Sequence, residues 1–351
     1  MKIVIFGLSV TSAWGNGHAT LLRGLFRALH ADGHRVCFFE RDVPYYASHR
    51  DAPQLPFADV RLYQNWQEIF HEARRELSGA DVGMVTSYCP DGIEASDLVL
   101  SSNAARRVFY DLDTPVTLAR LDRGETVEYV PPTGYAGFHM VLSYTGGPSL
   151  EALRRRLGAA KTAPLYGWVD PEFHHATPKA PEYASHLAYL GTYAPDRQPG
   201  LETLLLEPAR RLPARSFLIA GAMYPSRDGW PSNVRLLGHV PPSEHSRFYS
   251  SSPLMLNVTR AAMAQDGYCP SGRLFESAAC GTAVLSDWWT GLDCFFEPGR
   301  EILVARSTEE SVEALNHPLK TLAKIGQRAR DRALSCHTAE LRARQFLELI
   351  T

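Results

Sequence analysis

Short apolar runs rich in β-branched and aromatic residues alternate with amphipathic stretches along nearly the whole chain, and the alternation starts twice. In the first series "KIVIFGL", "RVCFFE", "DVRLY", "DVGMVTSY", "RRVFYDLD" and "FHMVLSY" read as strands. Between them "HATLLRGLFRALHADGH", "NWQEIFHEARRELSG", "GIEASDLVLSS" and "SLEALRRRLG" carry apolar residues at helical spacing. Strands that are apolar throughout and separated by helices suit a parallel sheet covered on both faces. The stretch from Pro164 to Ala184 is rich in Pro and aromatics, has no sustained period and reads as a linker. After it "HLAYLGTY", "SFLIAGA", "VRLLGHV", "PLMLNVTR", "TAVLSD" and "EILVA" form a second strand series, interleaved with helical "LETLLLEPARRL", "SEHSRFYSS" and "RLFESAAC". A length of 351 residues suits two domains. The expected fold class is α/β, with two doubly wound Rossmann-like domains facing across a cleft, residues 1–168 and 169–335. Helical segments follow to the C-terminus, and a last helix, 336–351, is expected to cross back onto the first domain.

Composition narrows the partners. A net charge of −2, with basic residues scattered along the chain, argues against nucleic acid or an anionic membrane surface. The six cysteines show no CxxC and no metal-type spacing, so they read as reduced thiols of a cytoplasmic protein. The opening "MKIVIFGLSV" has one positive charge and no clean cleavage site, and reads as a first buried strand. No apolar run approaches the roughly 20 residues that span a bilayer.

One carboxylate stands out in "GYCPSGRLFESAACGTAVLSD". Glu276 sits among small and apolar residues, where an unpaired carboxylate costs several kcal/mol of desolvation. With Ser271 as N-cap and the helix running from Gly272, Leu274, Phe275, Ala278 and Ala279 share the buried face. Glu276 then lies one turn beyond Gly272, about 6 Å along the axis. Unpaired N–H groups at such a helix start suit a phosphate, and a carboxylate one turn on suits a ribose diol. A carboxylate complementing the positive helix end explains the position equally well on spacing alone.

The surrounding residues favour the first explanation. "RLFESAACGTAVLSD" followed by "GLDCFFEPGREILVA" resembles the nucleotide-sugar half of GT-B glycosyltransferases. Together with "SAWGNGHATLLRGL", "FFERDVPYYASHRD", "VFYDLDTPVT", "LSYTGGPSLEALRRRLG", "PLYGWVDPE", "YLGTYAPDRQ", "LNVTRAAMAQDGYCPSGRLFE" and the terminal "HTAELRARQFL", the chain is similar to the CgeB-like branch (spore-maturation-protein type). The resemblance implies that Glu276 holds the donor ribose and the Ser271–Gly272 helix start the phosphate. It implies Arg197 near the donor diphosphate, with Arg260 and Arg273 as alternatives. Without a metal, cations and helix ends must carry the charge of the leaving diphosphate. The implied donor is a nucleoside-diphosphate sugar, UDP by default, with no other cofactor.

On the acceptor side, His18 follows the first strand in "GNGHATLL" and can take a proton from a hydroxyl near neutral pH. Asp113, or Asp111, in "FYDLDTP" is the expected orienting carboxylate, because strand ends of such a sheet point at the cleft. Alternation along a strand would send both aspartates to one face. "DLD" also matches the metal-binding DxD of GT-A enzymes, but three residues are weak against the two-domain alternation, and no metal is expected. Gly17, Glu40, Arg41 and Tyr45 are candidate acceptor contacts, although a structural ion pair accounts for the charges of Glu40 and Arg41 as well. Retaining GT-B enzymes often carry a second glutamate ahead of the ribose-binding one; counting back eight from Glu276 gives Tyr268, which favours inversion. The activity expected is metal-independent transfer of a hexosyl or pentosyl group to an unidentified acceptor hydroxyl. The alternatives are a non-hydrolysing nucleotide-sugar epimerase and a non-catalytic nucleotide-sugar-binding partner.

Overall fold

The computed structural model describes residues Met1–Thr351, which separate into two compact units, Met1–Tyr166 with Ala339–Thr351, and Gly167–Thr338. In chain order the first unit holds β1 (Lys2–Gly7), α1 (Gly17–Ala31), β2 (Arg35–Arg41), α2 (Pro44–Ala47), β3 (Asp59–Tyr63), α3 (Trp66–Ser78), β4 (Val82–Thr86), α4 (Gly92–Ser101), β5 (Arg106–Asp111), α5 (Thr114–Asp122), β6 (Met140–Ser143), α6 (Pro148–Leu157) and β7 (Thr162–Pro164). Its sheet runs β3-β2-β1-β4-β5-β6-β7, every pairing parallel. The order reverses at β1, and the ends of β1 and β4 frame the switch point, where doubly wound sheets bind ligands.

The second unit holds β8 (Leu187–Leu190), α7 (Gln198–Leu201), a π-helical turn (Glu202–Leu206), α8 (Glu207–Arg211), β9 (Phe217–Ala220), β10 (Val234–Leu237), α9 (His245–Ser251), β11 (Leu254–Asn257), α10 (Ala261–Asp266), α11 (Gly272–Ala279), β12 (Ala283–Ser286), β13 (Leu303–Val304), α12 (Thr308–Asn316) and α13 (Leu319–Cys336). Its sheet is again parallel, ordered β10-β9-β8-β11-β12-β13. Strands β4, β5, β9, β11 and β12 bury nearly every residue, as central strands covered on both faces must. Each fully buried Leu, Ile or Phe in them contributes about 1.5–3 kcal/mol of apolar burial.

The last helix, α14 (Ala339–Ile350), belongs to the first unit. It packs on α1 and buries Ala339, Ala343, Phe346 and Ile350. Arg106 fixes its end, donating to the carbonyls of Ile350 and Thr351 at 2.6 Å each. Arg342 Nε donates to the Tyr166 carbonyl at 3.1 Å.

Four elements have no counterpart in the sequence reading, and each has a reason. Helix α10 buries none of its residues, so it carries no apolar period. The four-residue α2 also buries nothing, and β7 is three residues ending in proline. Helix α5 opens on Thr-Pro, which reads as a turn but places proline in the first helical turn, where its missing N–H costs nothing. Its start also ends β5 at Asp111, so strand alternation does not reach Asp113.

Candidate functional site

The start of α11 lies where its sequence places it, with Ser271 as N-cap and Gly272 as first helical residue. The Ser271 side chain makes no capping bond, and the small residues leave the first N–H groups uncovered by bulk. Arg273, on that first turn, reaches back to the sheet. Its Nε donates to the Leu190 carbonyl and its Nη1 to Asn257 Oδ1 at 2.8 Å, and its guanidinium lies 4.9 Å from the centre of the Tyr189 ring. The ends of β8 and β11 therefore hold it rigidly.

Arg197 joins it from the turn before α7, with Nη2 donating to the Thr192 carbonyl at 2.7 Å. Its buried Nε has no partner. Burial lowers the Arg197 pKa; Tyr189 opposes that, and Arg273 and Arg260 add like-charge repulsion. Three guanidinium groups thus share one field, and only Arg260 has a carboxylate, Asp196 at 3.3 Å. A half-buried cation with an unfilled donor and like charges beside it is poised for an anion. The loops after β8 and β9 meet here so closely that a Cβ at Gly221 would run into the Gly191 carbonyl.

Glu276 follows one turn later, half-buried, with Leu274, Phe275, Ala278 and Ala279 on the covered face. Its Oε2 accepts a 2.7 Å bond from the Tyr249 hydroxyl of α9. His174 and His245 complete a group of three whose ligand-capable atoms lie within 4.8 Å of one another. Burial works to raise the Glu276 carboxyl, but His174, His245, the Tyr249 bond and Arg273 outweigh it and leave it below the ordinary carboxylate value. Burial pushes His174 down to about 4, so it is neutral at neutral pH. His174, His245 and Tyr249 went unread in the sequence. His245 and Tyr249 stand four apart on one helix face, a readable signal; His174 lies in the aperiodic "FHHATP", which offers none.

In the first unit His18 and Asp113 come together, Nε2 to Oδ2 at 3.8 Å. Asn16 caps α1 by accepting from the His18 N–H at 3.2 Å, which presents the imidazole at the carboxyl edge of the sheet. Tyr88, absent from the sequence reading, donates to Asp113 Oδ2 at 2.8 Å and stacks 5.7 Å from the His18 ring. Its backbone has φ 64°, an uncommon conformation for a residue with a side chain, held by the tight turn after β4.

Asp111 does not join them. It is fully buried and accepts from the Asp113 N–H and the Thr117 hydroxyl, both at 3.1 Å, so it shapes the turn that carries Asp113. Burial raises its carboxyl to about 7. Glu40 also departs from its expected acceptor contact, because it has no exposed surface. It accepts from the N–H groups of Val10 and Thr11 at 2.7 and 3.0 Å, from the Ser9 hydroxyl at 2.8 Å and from the Thr11 hydroxyl, and so ties down the loop after β1. Arg41 pairs with Asp91 at 3.0 Å. Gly17 opens α1 with free space where a Cβ would stand, and Tyr45 is 51% exposed.

No curated protein sequence matches at a significant level. Residues 197–348 match the sequence profile of a glycosyl transferase-like family. Among solved structures, the sucrose-phosphate synthase of Thermosynechococcus elongatus superposes with a TM-score of 0.70 at 16% identity, covering 99% of this chain and 98% of that one. HepE of Anabaena, solved with UDP-glucose, gives 0.68 at 13% identity over 99% and 98%. An alpha-glucosyltransferase solved with UDP and a mismatched DNA gives 0.71 at 14% over 100% and 99%. The chain has the GT-B fold of glycosyltransferases. Within this GT-B chain the family match begins at Arg197 and takes in Arg260, Ser271, Gly272, Arg273 and Glu276, which are all of the donor-side candidates. No helix of the GT-B chain is long and apolar enough to cross a membrane.

Proposed function

We propose that the protein is a cytoplasmic, CgeB-like glycosyltransferase that moves a hexosyl or pentosyl group from a UDP-sugar to an acceptor hydroxyl by inversion, with no metal in the transfer step. The observation that carries this reading is the pairing, across the first turns of α11, of an anion-seeking arginine cluster with a half-buried carboxylate. Arg197, Arg273 and Arg260, with the N–H groups at Ser271 and Gly272, take the diphosphate; Glu276 accepts from the ribose hydroxyls. That two of the superposing GT-B proteins were solved with UDP or UDP-glucose supports uridine as the base.

In the transfer step the acceptor oxygen attacks the anomeric carbon as the bond to the diphosphate breaks. His18 takes the acceptor proton, Asp113 stabilises the imidazolium that forms, and the electron pair leaves on UDP, where the arginines meet it. The 3.8 Å His18–Asp113 separation is that of a dyad which tightens when the imidazole becomes charged. Tyr129 and Tyr88 hold the carboxylate's side of this arrangement, their rings 5.2 Å apart. Gly17, Arg41 and Tyr45 remain the acceptor-side residues of this reading.

Thermal shift with UDP, GDP, dTDP and CDP tests it. UDP at 100 times its Kd should stabilise the wild type by about 2.7 kcal/mol, and Glu276→Ala should lose most of that gain. If no nucleotide stabilises the wild type, or the variant responds equally, the donor assignment fails. Release of a free, rearranged nucleotide sugar without acceptor would instead select the epimerase.

A further inference from the structure

His174 is 3% exposed, and neither ring nitrogen has a hydrogen-bond partner. Buried polar groups are normally satisfied, so an imidazole with two idle nitrogens points to something that occupies the space beside it. What stands beside it is a histidine and a carboxylate, with one ligand-capable atom from each of the three side chains within 4.8 Å of the other two. The two imidazole rings are 6.1 Å apart and inclined by 31°.

We propose that His174, His245 and Glu276 form a binding site for a divalent transition metal of the zinc class. Two imidazoles and one carboxylate are a zinc-type donor set, which leaves a fourth position for water. The outer groups suit it. His245 Nε2 lies 3.2 Å from the Val240 carbonyl, which makes Nε2 the protonated atom and leaves Nδ1 with the lone pair. Tyr249 donates to Glu276 Oε2 and so fixes the orientation of the carboxylate. His245 and Glu276 are half-buried, which gives the ion a way in from solvent, while buried His174 forms the floor. The elements are independent: His174 comes from the segment before β8, His245 from the start of α9 and Glu276 from α11.

The site shares Glu276 with the proposed ribose contact. Metal binding here stands without the donor reading, whereas competition between metal and nucleotide rests on it. The metal takes no part in transfer; it occupies the carboxylate that the donor needs and shuts the pocket.

Cobalt(II) titration of the full chain tests this, because four- or five-coordinate cobalt has strong visible absorption that hydrated cobalt lacks. The wild type should take up one cobalt with such bands, zinc should displace it and magnesium should not. His174→Gln, His245→Gln and Glu276→Gln should each weaken binding at least tenfold, and UDP should weaken it in the wild type. Absence of the bands, or their survival in His245→Gln and Glu276→Gln, overturns the site, whatever becomes of His174→Gln. UDP binding without cobalt binding sinks the metal site and leaves the donor reading intact. Cobalt binding that depends on Glu276, without UDP binding, does the reverse. Simultaneous, independent binding of both overturns the sharing of Glu276.

Discussion

Glu40 and Glu276 are both glutamates near the carboxyl edge of a parallel sheet, one in each unit, and their surroundings are opposite. Glu40 has no exposed surface and accepts from two N–H groups and two hydroxyls, which uses its acceptor capacity on the chain itself. Glu276 is half-buried and accepts a hydroxyl from Tyr249 beside His174 and His245. A carboxylate saturated by its own backbone is a fastener; one left with open lone pairs next to basic groups is a receptor. Asp111 and Asp113 differ as well: Asp111 is buried and bonds its own turn through Oδ1, whereas Asp113 faces His18.

The largest effect should fall on turnover in the first unit. His18→Ala is expected to slow UDP release from UDP-glucose, measured with a mixture of sugar acceptors, by about 10²–10⁴-fold, the usual worth of a general base. UDP affinity by calorimetry should not change, because the donor residues lie in the other unit; a matching loss of affinity would erase the contrast.

Next comes an identical change at the two glutamates. Glu40→Gln puts an amide N–H₂ where bonds to a charged acceptor were, and should cost about 2–3 kcal/mol in urea unfolding. Glu276→Gln keeps an acceptor for Tyr249 and should stay within about 1 kcal/mol while weakening UDP roughly tenfold. Equal stability losses would show that Glu276 is a fastener too.

Arg197→Ala should weaken UDP by about tenfold, the worth of one charge-assisted contact, and leave the far weaker binding of uridine unchanged. An equal loss for uridine would move Arg197 from the diphosphate to the nucleoside.

A pH-dependent effect concerns Asp111. Its folded value near 7 stands above the ordinary 3.8, so the folded state holds this proton more tightly than the unfolded chain. Stability from this group is fully present below the unfolded value, falls as pH rises from about 4 to about 7, and is flat above that. Asp111→Asn cannot lose a proton, so its melting temperature should gain on the wild type between pH 5 and pH 8. A constant difference across that range would mean Asp111 is charged in the fold.

Much of this was legible in the chain because the period of apolar residues is a direct record of burial. The strands of both sheets apart from β7, and the start of α11 at Ser271 and Gly272, follow from it. What it could not convey is which polar residues meet. "FFERD" and "RLFES" look alike as isolated glutamates among aromatics, and only the return of the loop after β1 onto Glu40 tells them apart. Arg273 reads in the sequence only as an alternative to Arg197, yet Leu190, Asn257 and Tyr189, all distant in sequence, hold it in the cluster. Tyr88 was hidden because its place depends on a backbone turn that side-chain chemistry does not announce.

The helix that returns to the first unit has a consequence for how the protein is made. Residues 1–166 are synthesised ahead of the second unit, but α14, which covers a face of α1, and the carbonyls that Arg106 binds belong to residues 339–351. The second unit is contiguous and can complete its fold while the first still waits for its closing piece. Translation order and completion order are therefore inverted: the half begun first is sealed only after the half begun second, and a ribosome that stalls before residue 339 leaves an intact second unit tethered to an open first one.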